Sequence, residues 1–170
     1  MAALTHLGVG LAAKRLAPKT PVLVLILAAY AIDLIRALFL FAGVERLADG
    51  TTTNPWSHGL LMASVWSLVI GLVTFLVSRS RRAAWIAGLL VFSHWVIDFI
   101  SHPMLATFPN DTQLSLLFDG SPTVGLGLWS TQLGVNLGEY LPLGLGVIIY
   151  VLTLRQIRRE KKAIKLEKQT

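Results

Sequence analysis

The chain has 170 residues, of which 54% are hydrophobic and 14% are charged, whereas a soluble domain carries about 25% charged residues. This composition indicates an integral membrane protein and excludes an ordinary soluble domain. The net charge of +6 does not indicate nucleic-acid binding, because the basic residues lie beside apolar segments and in one tail, as membrane topology requires. The chain has no cysteine, so any metal site must use histidine and carboxylate ligands.

The first apolar segment, residues 2–16, is too short to span a bilayer comfortably. It could lie on the surface, re-enter the membrane, or form a short span completed by neighbouring helices. Its basic pair follows the apolar stretch, and no clear small-residue cleavage site is present. We therefore expect this segment to be retained rather than removed as a signal peptide.

Four later apolar segments are each about 20 residues long, which is the length that crosses a hydrocarbon core of about 30 Å. They predict an all-α, polytopic membrane bundle of four transmembrane helices, in one domain over residues 1–154. The predicted spans are approximately residues 21–43, 57–77, 83–102 and 137–154. We expect residues 103–131 to form an outer loop and residues 155–170 to form a basic tail.

The basic residues predict the orientation of these spans. The clusters at 14–19 and 79–82 and the tail fall on one side of the four-span arrangement, whereas loop 103–131 has no lysine or arginine. The positive-inside rule places the basic segments and the C-terminus in the cytoplasm. The tail would then face anionic lipid, and we expect membrane lipid rather than nucleic acid as a partner.

The third predicted span ends in the sequence HWVIDFISH, which places His94, Asp98 and His102 at intervals of four along one face of a helix. Potential ligands at i and i+4 are typical of zinc-binding helices. Pro103 ends or kinks the helix, so His102 could lie at its outer mouth. Alternatively, His94 and Asp98 form a hydrogen-bonded pair that fastens neighbouring helices.

Further ionisable residues lie inside or beside the apolar segments, where a charge costs at least about 2.5–3.5 kcal/mol and needs a partner. They are His6, Asp33, Arg36, His58 and Glu139. All four histidines of the chain belong to this near-membrane set, which favours one shared site in the outer half of the bundle. Asp33 could instead pair with Arg36, and His6 reaches such a site only if its segment re-enters or crosses the membrane.

The order His6, Asp33, Trp-Ser-His58 and His94-x-x-x-Asp98 resembles that of the bacterial membrane-bound metal-dependent hydrolases, also described as LexA-binding inner-membrane-associated hydrolases. The resemblance covers most of residues 1–103. The same order is similar to the ligand order of zinc-dependent phospholipase C and P1-type nucleases. Both resemblances imply metal-dependent hydrolysis, and the first implies a multi-pass protein of the inner membrane.

Carried over to this chain, the resemblance implies that Asp33, His58, His94 and Asp98 hold a principal metal ion. It implies that Asp98 bridges to a second ion held partly by His6. The soluble enzymes have further downstream ligands, but residues 104–170 contain no histidine. We therefore expect no full three-metal cluster.

These features predict a hydrolase in which a divalent ion activates water, with Zn²⁺ as the expected ion and Mn²⁺ or Fe²⁺ as alternatives. His102 could be a further ligand or an acid/base group, and Glu139 could act as general base. A site at the outer interface would meet head groups, so the expected substrate is phospholipid-like or another membrane-resident ester or phosphoester. The alternatives are an ion or proton pathway and a noncatalytic scaffold, and a homo-oligomer is compatible with all three.

Overall fold

The computed structural model describes residues 3–45 and 54–169. Within these ranges the chain is mostly helical, as predicted, with one pair of two-residue strands and 3-10 turns at Ala13–Arg15 and Leu128–Ser130. In chain order the elements are α1 (Ala3–Ala12), α2 (Val22–Ala29), α3 (Ala31–Phe41), α4 (Pro55–His58), α5 (Leu60–Ser78), α6 (Arg81–Ser101), β1 (Leu114–Ser115), β2 (Thr123–Val124) and α7 (Gln132–Glu167).

Three of the described helices, α5, α6 and α7, are long and apolar enough to cross a membrane. The segment predicted as the first span is instead a broken helix, because α2 and α3 are bent by 57° at Tyr30. The structure thus has three candidate spans, or four if the bent pair counts as one. The helix of the last span extends to Glu167, well beyond the predicted limit of 154, and includes most of the basic tail.

The surface of the bundle is apolar where a soluble protein would be polar. Leu68, Leu72, Leu76 and Val77 of α5 are each more than half exposed. Contiguous exposed apolar side chains of this kind indicate contact with a membrane or another protein. The buried apolar core is smaller and lies where α2, α3 and α6 meet, around Leu25, Ile32 and Val91.

The α5–α6 hairpin is closed by a tight connection. Arg79 ends α5 in the left-handed region at φ 55°, and the Ser80 Oγ accepts a hydrogen bond from the backbone N–H of Ala83 at 3.2 Å. Serine is a favoured N-cap because its oxygen satisfies one of the free N–H groups of the first turn. This turn sets the start of α6, so that its last turns carry His94 and Asp98.

Helix α1 lies along α7 in the same direction. The Thr5 Oγ1 donates to the carbonyl oxygen of Gly138 at 2.5 Å, and the Arg15 guanidinium donates to the side chain of Gln156. Residues 3–12 are therefore packed against the bundle rather than separated from it. This packing brings His6 into the interior, where it is 1% exposed.

The 103–131 connection folds over the C-terminal end of α6. The strands β1 and β2 pair antiparallel, and the backbone N–H of Leu126 donates to the carbonyl oxygen of Phe99 at 2.8 Å. The backbone N–H of Gly127 donates to the carbonyl oxygen of His102 at 2.7 Å. Met104 and Trp129 are buried beneath the connection, so this segment forms a wall of the site described next.

Candidate metal centre

The five residues predicted as metal ligands lie side by side in the interior. They come from four helices: His6 from α1, Asp33 from α3, His58 from α4, and His94 and Asp98 from α6. None is more than 7% exposed. These buried histidine and aspartate groups could hold a metal ion.

Four of the five form a group with similar spacings. The His58 Nε2 lies 3.4 Å from the Asp33 Oδ1 and 3.5 Å from the Asp98 Oδ2. The His94 Nε2 lies 3.7 Å from the Asp33 Oδ1 and 3.4 Å from the Asp98 Oδ2. These separations exceed the about 2.7–3.2 Å of a usual hydrogen bond. Two ligands about 2.1 Å from one tetrahedral ion stand about 3.4 Å apart, so the spacing suits an ion shared by the group.

The fifth residue, His6, meets the other oxygen of Asp98. Its Nε2 lies 3.4 Å from the Asp98 Oδ1, and its ring stacks on that of His94 with the centroids 3.6 Å apart. His6, His94 and Asp98 thus form a second group of potential ligands that overlaps the first. The two oxygens of Asp98 face different histidines, which is the arrangement that a bridging carboxylate requires.

Several polar atoms of the cluster are buried without a hydrogen-bond partner. They are the Nε2 atoms of His6 and His94, both carboxylate oxygens of Asp33, and the Asp98 Oδ1. A buried polar atom that lacks a partner costs about 1–3 kcal/mol, and native proteins leave few such atoms unsatisfied. Cations bound in the two overlapping groups would supply the partners that these atoms lack.

The second ring nitrogen of His94 is already bonded. Its Nδ1 lies 2.8 Å from the carbonyl oxygen of Ala29, so we assign the proton to Nδ1. Ala29 ends α2, and the last carbonyl groups of a helix have no partner within that helix. The helix break at Tyr30 thus leaves the Ala29 carbonyl oxygen free to accept this bond. Because the bond holds Nδ1, the lone pair of the His94 Nε2 points into the cluster. Metal-binding histidines are typically held by such a bond.

His58 is held in the same way by a buried side-chain network. The Ser57 Oγ lies 2.8 Å from the His58 Nδ1 and 2.9 Å from both carboxylate oxygens of Glu45. Since the hydroxyl donates to Glu45, it accepts from the His58 Nδ1–H. Burial raises the pKa of the Glu45 carboxyl, and the hydrogen bonds from Ser57 act in the opposite direction. Neither Glu45 nor Ser57 belongs to a ligand spacing, so neither could be identified as functional from the sequence.

A cavity of about 440 Å³ adjoins the cluster. Two of the five clustered residues, His58 and Asp98, reach its wall, so the cavity connects potential ligands with an opening. The remaining wall is formed by Arg36, by His102, and by the connection after α6 through Met104, Phe108, Pro109, Asn110 and Asp111. A water molecule or a small substrate group could reach the cluster through this space.

His102 lies in this cavity wall rather than among the five clustered residues. It caps the C-terminal end of α6 in an extended conformation. Its Nδ1 lies 2.9 Å from the Asp111 Oδ2 and 3.1 Å from the carbonyl oxygen of Thr112. Both neighbours are acceptors, so Nδ1 carries a proton. This places His102 at the mouth of the site, where it could exchange protons.

Asp111 is fixed by two donors. Partial burial opposes its ionisation, but the hydrogen bond from His102 and the backbone N–H of Met104, 2.6 Å from the Asp111 Oδ2, lower the pKa of the carboxyl below its ordinary value. Asp111 is therefore a carboxylate at neutral pH that orients the imidazole. Its place in the loop sequence gives no sign of this role.

Two other residues singled out in the sequence, Glu139 and Arg36, lie outside the cluster. The Glu139 Oε2 accepts hydrogen bonds from the backbone N–H groups of Leu4 and Thr5, at 2.8 and 3.0 Å. Glu139 thus caps α1, and its role as general base stays a prediction. Asp33 faces His58 and His94, and the described contacts include no ion pair between Asp33 and Arg36.

Comparison of the chain with protein-family models, curated proteins and solved structures finds no match. The interpretation of this site therefore rests on its own geometry.

Proposed function

We propose that this protein is a membrane-embedded, metal-dependent hydrolase. The observation that carries the proposal is the convergence of five buried histidine and aspartate residues, with unpartnered nitrogen and oxygen atoms, beside a cavity. The packing of apolar helices does not by itself explain why two carboxylates and three imidazoles are buried together, since each group is costly to desolvate.

In this proposal Asp33, His58, His94 and Asp98 hold the principal ion, and Asp98 also faces a second position that includes His6. Zn²⁺ suits mixed imidazole and carboxylate ligands, and Mn²⁺ and Fe²⁺ are alternatives. A divalent ion with one open position lowers the pKa of bound water toward about 7 and so supplies hydroxide as a nucleophile. The cavity beside His58 and Asp98 provides the approach for a substrate.

His102 is the proposed acid/base group. Asp111 holds its Nδ1 at 2.9 Å and stabilises the imidazolium that forms when Nε2 accepts a proton. A leaving group that lies in the cavity could then receive this proton. The resemblance of the ligand order to metal-dependent hydrolases agrees with these roles.

We further propose that α2 and α3 together form one broken span, which gives four spans with α5, α6 and α7. The basic segments at 14–19 and 79–82 and the end of α7 would face the cytoplasm of a cell with an inner membrane. The cluster then lies in the outer half of the bundle. A substrate that reaches this depth would be a phospholipid-like or other membrane-resident ester or phosphoester.

Two other classes of protein fit this arrangement less well. A proton pathway would distribute its titratable groups along the bundle, whereas the five residues here form overlapping groups with ligand atoms within 4.8 Å of one another. A scaffold would pair each polar atom, whereas His6, Asp33, His94 and Asp98 retain unpartnered atoms.

The first test is metal content, measured by elemental mass spectrometry on protein purified in detergent without a histidine tag. We expect near-stoichiometric metal in the wild type, and its loss in His94→Ala and Asp98→Ala. Asp119→Ala, which removes an exposed loop carboxylate, is the matched control and should retain the metal. Absence of metal from the wild type after incubation with excess Zn²⁺, Mn²⁺ and Fe²⁺ would contradict the proposal.

The second test is hydrolysis of short-chain phospholipid and carboxylester substrates in the same detergent. We expect activity that chelation removes and that added metal restores. His102→Gln should retain the metal and lower the hydrolysis rate by about 10²–10⁴-fold, the usual contribution of acid/base catalysis. Full activity in the chelated protein would exclude a metal-dependent mechanism.

A further inference from the structure

The positively charged side chain of Arg36 lines the cavity beside the metal centre. The proposed ligand set gives it no role. Arg36 lies on α3, three residues after Asp33, so that both residues project from the same side of the helix. It lines the same cavity wall as His58 and Asp98. A guanidinium within an apolar segment is costly and requires an anionic or polar partner.

No ion pair within 4.0 Å provides that partner in the part of the chain that the structure describes. Glu45 is close enough to interact with Arg36 electrostatically. However, both Glu45 oxygens accept hydrogen bonds from Ser57 at 2.9 Å. Among the residues that the structure describes, no hydrogen bond or ion pair engages the guanidinium of Arg36, so its donors can meet a molecule in the cavity that it lines.

The other charged residues of the cavity wall are committed. Asp98 faces histidines of the metal centre, and Asp111 is bonded to His102. Arg36 is thus the one lysine or arginine among the described residues of this wall. The cavity lining also includes the apolar residues Met104, Phe108 and Pro109, which suits a ligand with an anionic head and an apolar body.

The volume of the cavity and the geometry of the Arg36 guanidinium indicate which kind of anionic group would bind there. A space of about 440 Å³ is within the range of small-molecule sites and would accept a phosphorylated head group. The guanidinium fork of Arg36 can bind two oxygens at once. A carboxylate would use both of its oxygens in such a pair, whereas a phosphoryl group has four oxygens. After two of them pair with Arg36, a phosphomonoester keeps a third non-bridging oxygen and a phosphodiester keeps its ester oxygens to face the metal centre.

We propose that Arg36 binds the phosphoryl group of a phosphate-ester substrate at the mouth of the metal centre. This inference rests on the proposed function and narrows its substrate class from esters in general to phosphate esters. Arg36 holds the phosphoryl group, the metal centre lies on its other side, and His102 lies in the same wall for proton transfer.

The test measures, by titration calorimetry, the binding of inorganic phosphate to the zinc-loaded protein in detergent. We expect Arg36→Gln to weaken phosphate binding by about ten- to a hundredfold, the usual effect of removing a charged hydrogen-bond donor. Arg36→Lys keeps the charge but loses the fork, and should bind phosphate with intermediate affinity. Helical circular dichroism and bound zinc should equal those of the wild type in both variants.

Arg81→Gln is the matched control, because Arg81 begins α6 and lies about 25 Å along that helix from Asp98. It should bind phosphate as the wild type does. Equal phosphate affinity in the wild type and Arg36→Gln would overturn the inference, as would absence of phosphate binding by the wild type. Acetate binding that is stronger than phosphate binding and depends on Arg36 would contradict the assignment of a phosphate ester as the substrate.

The metal-free protein, titrated in parallel, separates this inference from the proposed function. Phosphate binding that depends on Arg36 in a protein that takes up no metal would support the phosphoryl subsite and contradict the metal-dependent hydrolase. Bound zinc and hydrolysis that persist while Arg36→Gln binds phosphate normally would support the hydrolase and contradict the subsite.

Discussion

The hydroxyl of Ser57 lies 2.8 Å from the Nδ1 of His58, the next residue in the chain. Because Ser57 also donates to the buried Glu45 carboxylate, this bond holds the imidazole with Nε2 directed at Asp33 and Asp98. Bonds of this type typically contribute about ten- to a hundredfold to metal affinity. The bond therefore matters to the metal centre although Ser57 is not itself a ligand.

Ser57→Ala should lower the affinity for Zn²⁺ by about ten- to a hundredfold, while the stoichiometry at saturating Zn²⁺ stays unchanged. Competition with a chromophoric chelator would measure both quantities. Ser64→Ala is the matched control, because the Ser64 Oγ donates to the carbonyl oxygen of Leu60 within α5 and should leave the affinity unchanged. Equal affinities in the two variants would show that Ser57 does not position His58.

The position of His6 depends on close contact between α1 and α7. A Cβ atom on Gly146 would lie 2.2 Å from the carbonyl oxygen of Gly8, whereas a Cβ on Gly144 would meet nothing within 4 Å. Gly146→Ala should therefore separate the helices and destabilise the fold by about 1–3 kcal/mol, the usual cost of overpacking. The same change should weaken metal binding, because α1 carries His6.

Gly144→Ala is a control on the same helix. Replacing glycine by alanine within a helix favours folding by about 0.5–1 kcal/mol, so this variant should be as stable as the wild type or more so. Thermal unfolding in detergent, followed by circular dichroism, compares the two variants. If Gly146→Ala unfolds at the same temperature as Gly144→Ala, the close packing of α1 on α7 is wrong.

The local part of the site could be predicted from sequence, because the i, i+4 spacing of His94 and Asp98 places both on one face of any helix. His6, Asp33 and His58 could be singled out as ionisable residues in or beside apolar segments, and their order resembles that of known metal-dependent hydrolases. Their convergence depends on how distant helices pack, and spacing along the chain carries no such information.

The supporting groups could not be predicted for a different reason. The acceptor for His94 is a backbone carbonyl, that of Ala29, and any residue would provide one. The helix break beside it occurs at Tyr30 without a glycine or proline to mark it. Similarly, hydropathy predicts the length that fits a membrane and not the end of a helix, so it could not decide whether the basic tail continues the last helix, as α7 does to Glu167.

The contacts of Glu139 give a test of its two possible roles. Its Oε2 accepts hydrogen bonds from the N–H groups of Leu4 and Thr5, and loss of a helix cap typically costs about 1 kcal/mol. Glu139→Ala should therefore lower the unfolding temperature and the metal affinity, whereas Glu139→Gln, which keeps an acceptor oxygen, should largely restore both. Activity at full metal occupancy should be near that of the wild type.

A general base would behave differently. Glutamine cannot accept the proton, so Glu139→Gln would then reduce hydrolysis by about 10²–10⁴-fold even when the metal site is saturated. The comparison of hydrolysis rates at saturating metal thus distinguishes a helix cap from a catalytic base.

The hydrogen bonds that the Asp111 carboxylate accepts predict a pH dependence of stability. The pKa of Asp111 is lowered in the folded protein, so the folded state binds its proton more weakly than the unfolded state does. Its stabilising contribution is present above the ordinary pKa of about 3.9 and is lost as the pH falls through the lower folded value. Asp111→Asn should therefore be less stable than the wild type near pH 6, and this difference should shrink below pH about 4.

Chemical unfolding at a series of pH values would measure this difference. Asp119→Asn is the matched control, because Asp119 is an exposed carboxylate of the same connection and should follow the wild type throughout. A constant difference between the wild type and Asp111→Asn at every pH would contradict the stabilising role of the ionised Asp111 carboxylate.

The orientation in the membrane can be tested directly, because the natural chain has no cysteine and single cysteines can be introduced. Asp119 lies in the connection over α6, and Lys162 lies near the end of α7. With four spans and the basic segments in the cytoplasm, a membrane-impermeant maleimide should label Asp119→Cys in intact cells. It should label Lys162→Cys only after the cells are permeabilised.

Leu72→Cys provides the control, since Leu72 is an exposed apolar residue in the middle of α5 and should remain unlabelled in both conditions. Labelling of Lys162→Cys alone in intact cells would reverse the orientation and place the cavity of His102 and Asp111 at the cytoplasmic face. Labelling of both introduced cysteines in intact cells would mean that α7 does not cross the membrane between residues 119 and 162, which would contradict the four-span arrangement.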